Sequence, residues 1–452
     1  MYRLDEIFKI YQEKLITADE AAAMVEPNNR IHFGLGLGVV KDLDAALARR
    51  ADTLRGVEVV STVGIQQDFL HLYKAGQSLD NVRFASAHYN GFDRKMAVND
   101  KCWYIPMNFN ELPSYWDQND CQVDIAMLQV GPMDKYGNFN LGPQVSDIWG
   151  VLKSAKKVIV EVNTKMPRTH GVENTINLAD IDFVVEGSNT EMAQIPPGKA
   201  SEIDKKIASF VVEKIRDNST LQLGIGALPS TIGTLLAESD VKDISGHTEM
   251  LVDGYLELYK AGKLTNKKAV NPGKLVYAFA GGSQDLYDFI DDNPICHVAP
   301  VDYVNNQGVI ASMDNFVSVN SCIKVDLFGQ VCSETSNHMH ISGTGGQLDF
   351  VQGAYHSKGG QSFICTPSTR KFPDGKVRSL ILPSMIAGYV VTTPRTCTHW
   401  VVTEFGAVNL KGKSTWQRAE ALISIAHPDF QEYLIGMAEK IGIWRTTSKC
   451  TL

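Results

Sequence analysis

One pattern occurs twice in this chain and limits its fold more than any other. A helical stretch, Ala18 to Val25, leads through Asn28-Asn29-Arg30 into Ile31-His32-Phe33-Gly34-Leu35-Gly36-Leu37. A second, Ile207 to Ile215, leads through Asp217-Asn218-Ser219 into Leu221-Gln222-Leu223-Gly224-Ile225-Gly226-Ala227. Gly34 and Gly224 stand 190 positions apart. Each copy reads as helix, polar turn, strand, Gly-x-Gly loop and helix, so the chain is expected to hold two similar open α/β domains with mainly parallel sheets. The boundary is expected at Ile195-Pro196-Pro197-Gly198-Lys199-Ala200-Ser201, which divides the chain into residues 1–195 and 196–452.

Elsewhere strand-like and helix-like runs alternate in the same way. Lys157 to Val162 and Phe183 to Glu186 read as short buried strands. Leu251 to Leu264 reads as a helix with Leu251, Tyr255, Leu258 and Tyr259 on one stripe. Ser362 to Cys365 and Val377 to Leu382 flank Phe372-Pro373-Asp374-Gly375-Lys376 and are expected to pair as a hairpin. Ser414 caps a helix through Ala426, and Pro428 starts another, Asp429 to Lys440.

The 452 residues carry a formal net charge of -8, which argues against a nucleic-acid partner. Charges of both signs interrupt the first eight residues, and no stretch approaches the roughly 18 apolar residues of a membrane span. The eight cysteines form no Cys-x-x-Cys pair and read as reduced thiols of a cytoplasmic protein. His338-Met339-His340 is too sparse for a metal site, and no metal is expected.

Gly-x-Gly after a strand invites a dinucleotide reading, but the third small residue is missing. That position holds Val39 in one loop and Pro229 in the other. What remains is a backbone loop, Gly224-Ile225-Gly226-Ala227-Leu228, whose bare N–H groups suit a phosphate or a thin ligand. A second loop, Gly343-Thr344-Gly345-Gly346, could aim successive N–H groups at an oxyanion or could be a plain turn. The chain has neither a Gly-x-Ser-x-Gly elbow nor a phosphate-binding loop ending in Gly-Lys-Ser/Thr. Glu249, in Gly246-His247-Thr248-Glu249-Met250, is placed at a strand-to-helix junction, where open α/β sheets hold ligands; a solvated first-turn glutamate would look the same.

These segments, taken in order, resemble the acetyl-CoA hydrolase/transferase branch of the class I coenzyme A transferases. The resemblance rests on Gln222 to Pro229, Gly246 to Met250 with Asp253-Gly254, Leu286-Tyr287-Asp288-Phe289, Val325 to Gln330, Gly343 to Phe350, Val401 to Gly406 and Ile425 to Phe430. Butyryl-CoA:acetate and 4-hydroxybutyrate CoA-transferases are the members it resembles most.

The resemblance implies that Glu249 is the nucleophile, forming first an acyl-glutamyl anhydride and then a glutamyl-CoA thioester. It implies CoA contacts at Gly224, Ile225, Gly226, Ala227 and Leu228, at Ile323 and at Gly346. Asn320, Gly345 and Gly346 become candidate oxyanion donors. Glu404, in an equally strong match, is read as structural or substrate-lining. Gln361 stands where relatives often have lysine, so a phosphate contact there is open, with Lys358 as a substitute. Partners are an acyl-CoA and a short-chain carboxylate, coenzyme A being substrate and not cofactor, and a homo-oligomer is expected. Hydrolysis of acetyl-CoA, transfer from propionyl- or 4-hydroxybutyryl-CoA, and a ligand-sensing module are the alternatives to butyryl-CoA:acetate exchange.

Overall fold

The computed structural model describes residues 4–64, 71–75, 80–118, 121–195 and 198–444. The chain forms two compact units, each an α/β fold built on a mainly parallel sheet. The first comprises Met1–Pro196, Glu249–Leu251 and Lys274–Val304; the second comprises Pro197–Thr248, Val252–Gly273 and Asn305–Leu452. Two short pieces of the later sequence thus group with the first unit, and Glu249 is in one of them. Of the expected linker, Pro196 and Pro197 lie outside the described residues. Among the described residues, no helix is long and apolar enough to cross a membrane.

The first unit holds a seven-stranded sheet in the order Phe183–Glu186, Lys157–Val162, Ile125–Val130, Arg30–Leu35, Val57–Thr62, Val82–Ser86, Cys102–Tyr104. Every pairing in it is parallel. Sheets of this kind are covered on both faces, so their strands read as unbroken apolar runs. Ile125–Val130 fits: all six residues are buried. Two strands expected from sequence, Lys157–Val162 and Phe183–Glu186, have the bounds expected.

In the second unit the order is Gly406–Asn409, Trp400–Thr403, Gln361–Cys365, Phe316–Ser321, Thr220–Leu223, then the strand that starts at Ser245. All pairs are parallel except the terminal Trp400–Thr403 and Gly406–Asn409 hairpin. Ser414 and Gln417 form a reciprocal cap at the start of Thr415–Ser424, and Pro428 opens Pro428–Lys440.

The internal repeat is visible in backbone detail. Arg30–Leu35 and Thr220–Leu223 each lie between two parallel neighbours. Asn28 (φ 64°) and Asn218 (φ 61°) take the same left-handed conformation in the turns that precede them. Their N–H groups donate to equivalent carbonyls, Arg55 O at 2.8 Å and Lys242 O at 3.1 Å.

Two expectations shift. The turn at Phe372 to Lys376 does close a hairpin, but its arms are Thr369–Lys371 and Val377–Ser379. Ser362 to Cys365 instead belongs to the parallel strand Gln361–Cys365 between Phe316–Ser321 and Trp400–Thr403, where its buried apolar run is covered on both faces. The helix expected from Leu251 starts at Asp253 and ends at Lys260, because Ser245–Leu251 is one continuous strand and Val252 is extended (φ -132°, ψ 165°). Glu249 therefore lies within a strand, near its carboxyl end, and not in a helical first turn.

Candidate functional site

In the second unit the chain runs from Thr220–Leu223 to the strand beside it at Ser245, then returns on the other flank at Phe316–Ser321. Thr220–Leu223 and Phe316–Ser321 thus diverge at a topological switch point, and ligands of open α/β sheets bind outside the carboxyl ends of strands at such points. Leu223 leads directly into the Gly224-Ile225-Gly226 loop, and Val319 beside it leads to Asn320. A Cβ placed on Gly224 would sit 3.6 Å from Val319 O, so loop and strand end are in contact.

The two loop glycines have different reasons to be there. Gly226 has φ 108° and ψ -173°, backbone that is essentially closed to other residues, although space around its Cα is open. Gly224 has an ordinary φ and room for a Cβ. Gly226 opens the helix Ala227–Glu238, which has no side-chain cap. Its first N–H groups, those of Ala227 and Leu228, are thereby presented at the positive end of the helix dipole, the arrangement that receives anions. Ile225 is 54% exposed, large for an isoleucine and available to an apolar ligand segment. This helix crosses Asp253–Lys260 closely: a Cβ on Gly233 would meet Gly254 Cα at 2.7 Å.

Asn320 is held by residues that sequence reading missed. Ser318 Oγ donates to Gln222 Oε1 at 2.8 Å, and Asn320 Nδ2 donates to Ser318 Oγ at 2.8 Å and to Gln222 Oε1 at 3.4 Å. Parallel register puts Gln222 opposite Ser318, so all three side chains share one face. For Asn320 to donate to an oxyanion it must give up a bond, and the longer one to Gln222 is the weaker. Tyr255 completes the support: its hydroxyl donates to Leu221 O at 2.9 Å and accepts from Leu223 N at 3.1 Å. Burial pushes that phenol well above its ordinary pKa, so it stays protonated as a donor. Gln222 and Ser318 are 96 positions apart, and only register could reveal the pair.

The loop Thr344-Gly345-Gly346 leads into the helix Gln347–His356, again with no side-chain cap. Gly345 has φ 54°, where glycine is favoured. Gln347 anchors this start by donating to Thr393 Oγ1 at 2.9 Å and accepting from Ser333 Oγ at 2.8 Å. Ile323 follows the Phe316–Ser321 strand, half-buried, with its N–H on Cys332 O at 2.8 Å.

Glu249 is half-buried and follows Thr248, whose hydroxyl reaches Leu223 O at 3.3 Å. Glu404 is a structural anchor: it accepts from Ser368 N at 2.8 Å and from Ser368 Oγ at 2.6 Å. Gln361 and Lys358 lie at the amino end of the sheet. Gln361 pairs with Val317 and donates to Lys214 O at 3.1 Å, whereas the candidate loop is at the carboxyl end. Neither is placed for a phosphate bound at the switch point.

The first unit's equivalent loop is filled. Glu161, 1% exposed, accepts from Lys41 N and Leu43 N, both at 2.9 Å, where the helix Asp42–Arg49 begins. Gln129 Nε2 donates to the same carboxylate at 2.9 Å. Burial raises the Glu161 pKa and these bonds oppose the rise. A carboxylate of the chain itself occupies the anion position there.

Comparison with known proteins places this architecture. Residues 3–196 match the acetyl-CoA hydrolase/transferase N-terminal domain, and residues 282–438 match the C-terminal domain. The chain belongs to the acetyl-CoA hydrolase/transferase family. Within that family it is 45% identical over 448 residues to a probable butyrate:acetyl-CoA coenzyme A-transferase of Syntrophomonas wolfei, covering 98% of this chain and 99% of the relative. It is 44% identical over 442 residues to the butyryl-CoA:acetate CoA-transferase of Anaerostipes caccae, covering 97% and 99%. Among solved structures, RipA from Yersinia pestis superposes with a TM-score of 0.87 at 34% identity, covering 97% of this chain and 99% of that one. The two matches leave residues 197–281 between them, with the Gly224 loop and Glu249, and the alignment to the Syntrophomonas wolfei relative, at 98% of the chain, spans that stretch.

Proposed function

We propose that this enzyme exchanges CoA between a short-chain acyl-CoA, butyryl-CoA foremost, and acetate, with Glu249 as the nucleophile. The observation that carries this reading is the Gly246-His247-Thr248-Glu249-Met250 segment near the carboxyl end of a parallel strand, in a chain whose relatives at 44–45% identity are butyrate- and acetate-linked CoA-transferases.

The Glu249 carboxylate attacks the thioester carbonyl, the C–S bond breaks, and CoA leaves as thiolate from an acyl-glutamyl anhydride. The thiolate then attacks the glutamyl carbonyl, releasing the first acid and leaving a glutamyl-CoA thioester. Acetate attacks that thioester, CoA leaves again, and its return to the acetyl carbonyl yields acetyl-CoA and the free carboxylate. Each step exchanges one acyl bond for another, which is why a carboxylate serves and no ATP is needed. Every step also passes through a tetrahedral oxyanion, and one lost donor costs about 100- to 1,000-fold. Asn320 and the N–H groups at Gly345 and Gly346 take that role in this reading, and Gly224 to Leu228 with Ile323 hold the coenzyme.

The test is incubation with butyryl-CoA without acceptor, followed by intact mass and peptide mapping. A CoA adduct on the Glu249 peptide, lost on borohydride reduction together with activity, is the expected result. An adduct on the Glu404 peptide, or none with any acyl-CoA, overturns the assignment.

A further inference from the structure

The hairpin Thr369–Lys371/Val377–Ser379 concentrates positive charge on a chain whose net charge is -8. Its register sets Arg370 directly opposite Arg378. Like charges so placed oppose pairing, so the arrangement calls for a counter-charge. Lys371 and Lys376 are exposed on the same hairpin. Beneath it Lys324, 3% exposed, donates to Ser379 O at 3.1 Å. Three cations converge on one ring: Phe372 has Arg378 at 4.8 Å, Lys324 at 5.5 Å and Arg370 at 6.0 Å from its centroid. Asp374 answers Arg378, accepting from Nη1 at 3.2 Å and also from Nη2, and Arg370 lies across the register from that pair.

Burial first, then Arg378 and Arg370, push the Lys324 ammonium down to about 8. Arg378 and Arg370 thus add to the cost of a charged Lys324 here, after burial itself. Position adds to the argument. Lys324 follows Asn320 by four residues, so the cluster starts at most about 14 Å along the chain from the switch point.

We propose that this hairpin, backed by Lys324, seats the phosphates at the nucleotide end of the coenzyme, its terminal phosphate monoester first. The assignment rests on the CoA reading above, since the charge pattern alone specifies only a compact polyanion. A phosphate dianion would lie between Arg370 and Arg378, relieve their repulsion, accept paired hydrogen bonds from Arg370 and compete with Asp374 for Arg378.

The experiment titrates adenosine 3′,5′-bisphosphate into the full-length protein by calorimetry. Wild type is compared with Arg370→Gln/Lys371→Gln and with the charge-keeping Arg370→Lys/Lys371→Arg, circular dichroism confirming the fold of each. The neutral variant is expected to bind about tenfold more weakly or worse, with a shallower salt dependence, and the charge-keeping one within a few-fold of wild type. In turnover, the KM advantage of acyl-CoA over acyl-dephospho-CoA should collapse in the neutral variant. Equal bisphosphate affinity in wild type and neutral variant overturns the proposal, as does a change confined to oligomeric state on gel filtration. If no acyl-CoA is turned over by any form, CoA transfer falls, and the bisphosphate titration still judges the hairpin.

Discussion

Asn320 Nδ2 lies 2.8 Å from Ser318 Oγ, and that bond aims the amide. Ser318 is fully buried, and its own hydroxyl donates a hydrogen bond to Gln222. Ser318→Ala should leave two polar groups short of a partner and cost about 1–3 kcal/mol in urea unfolding. The same variant should lower kcat more than it raises KM, because the amide loses its orientation and not its presence. Unchanged kcat with the expected loss of stability would remove Asn320 from the chemistry.

Gly226 and Gly224 should separate cleanly on substitution. Gly226→Ala forces a side chain into backbone at φ 108°, worth about 1–3 kcal/mol of strain, and should raise KM for acyl-CoA. Gly224→Ala meets only ordinary contacts and should be mild in both measurements. Equal effects at the two positions would contradict the backbone argument.

A third prediction concerns helix packing. Gly233→Ala drives a methyl to 2.7 Å from Gly254 Cα and 3.0 Å from its carbonyl oxygen, both backbone atoms that cannot rotate away. Overpacking of this kind costs about 1–3 kcal/mol, more than the helix propensity alanine adds. Gly254→Ala points its methyl at neighbours 3.6 Å or more away and should be tolerated. Thermal unfolding of the two variants is the check.

The first unit should respond to pH through Asp44. Burial pushes this carboxyl up to about 7, against hydrogen bonds from His71 N and Leu72 N that oppose the rise. A raised carboxyl pKa means the folded state keeps a proton that the unfolded state releases near pH 4. Its contribution to stability is then complete below about pH 4 and is lost as pH climbs to about 7. Asp44→Asn should flatten this part of a urea-midpoint profile; a variant with the wild-type slope would assign the dependence elsewhere.

Sequence reached far where patterns are local. Lys157–Val162 and Pro428–Lys440 could be bounded from apolar runs and a proline alone, and the Asn28/Asn218 turn was legible as a repeat. Ser362 to Cys365 was misassigned because an apolar run beside a turn fits a hairpin arm and a central parallel strand equally, and only the sheet decides. At the site, Gly226 was visible as a glycine, but its need for φ 108° was not. The supporting roles of Gln222, Ser318 and Tyr255 are not legible in sequence, since they depend on register between segments far apart in the chain. The turn of the charged hairpin is legible in sequence, whereas the convergence of its cations on Phe372 is not.

The carboxylate of Glu161, seated where Asp42–Arg49 begins, gives the first unit a ligand that never dissociates. The helix Ala227–Glu238 begins at Gly226, which supplies no side-chain cap. If the coenzyme binds at Gly224 to Leu228 as proposed, the stability of the second unit is linked to supply: a ligand at a hundred times its Kd adds about 2.7 kcal/mol to the state that binds it. On that reading coenzyme should protect the second unit from protease far more than the first, and the pool of substrate would then set how long the enzyme lasts as well as how fast it works.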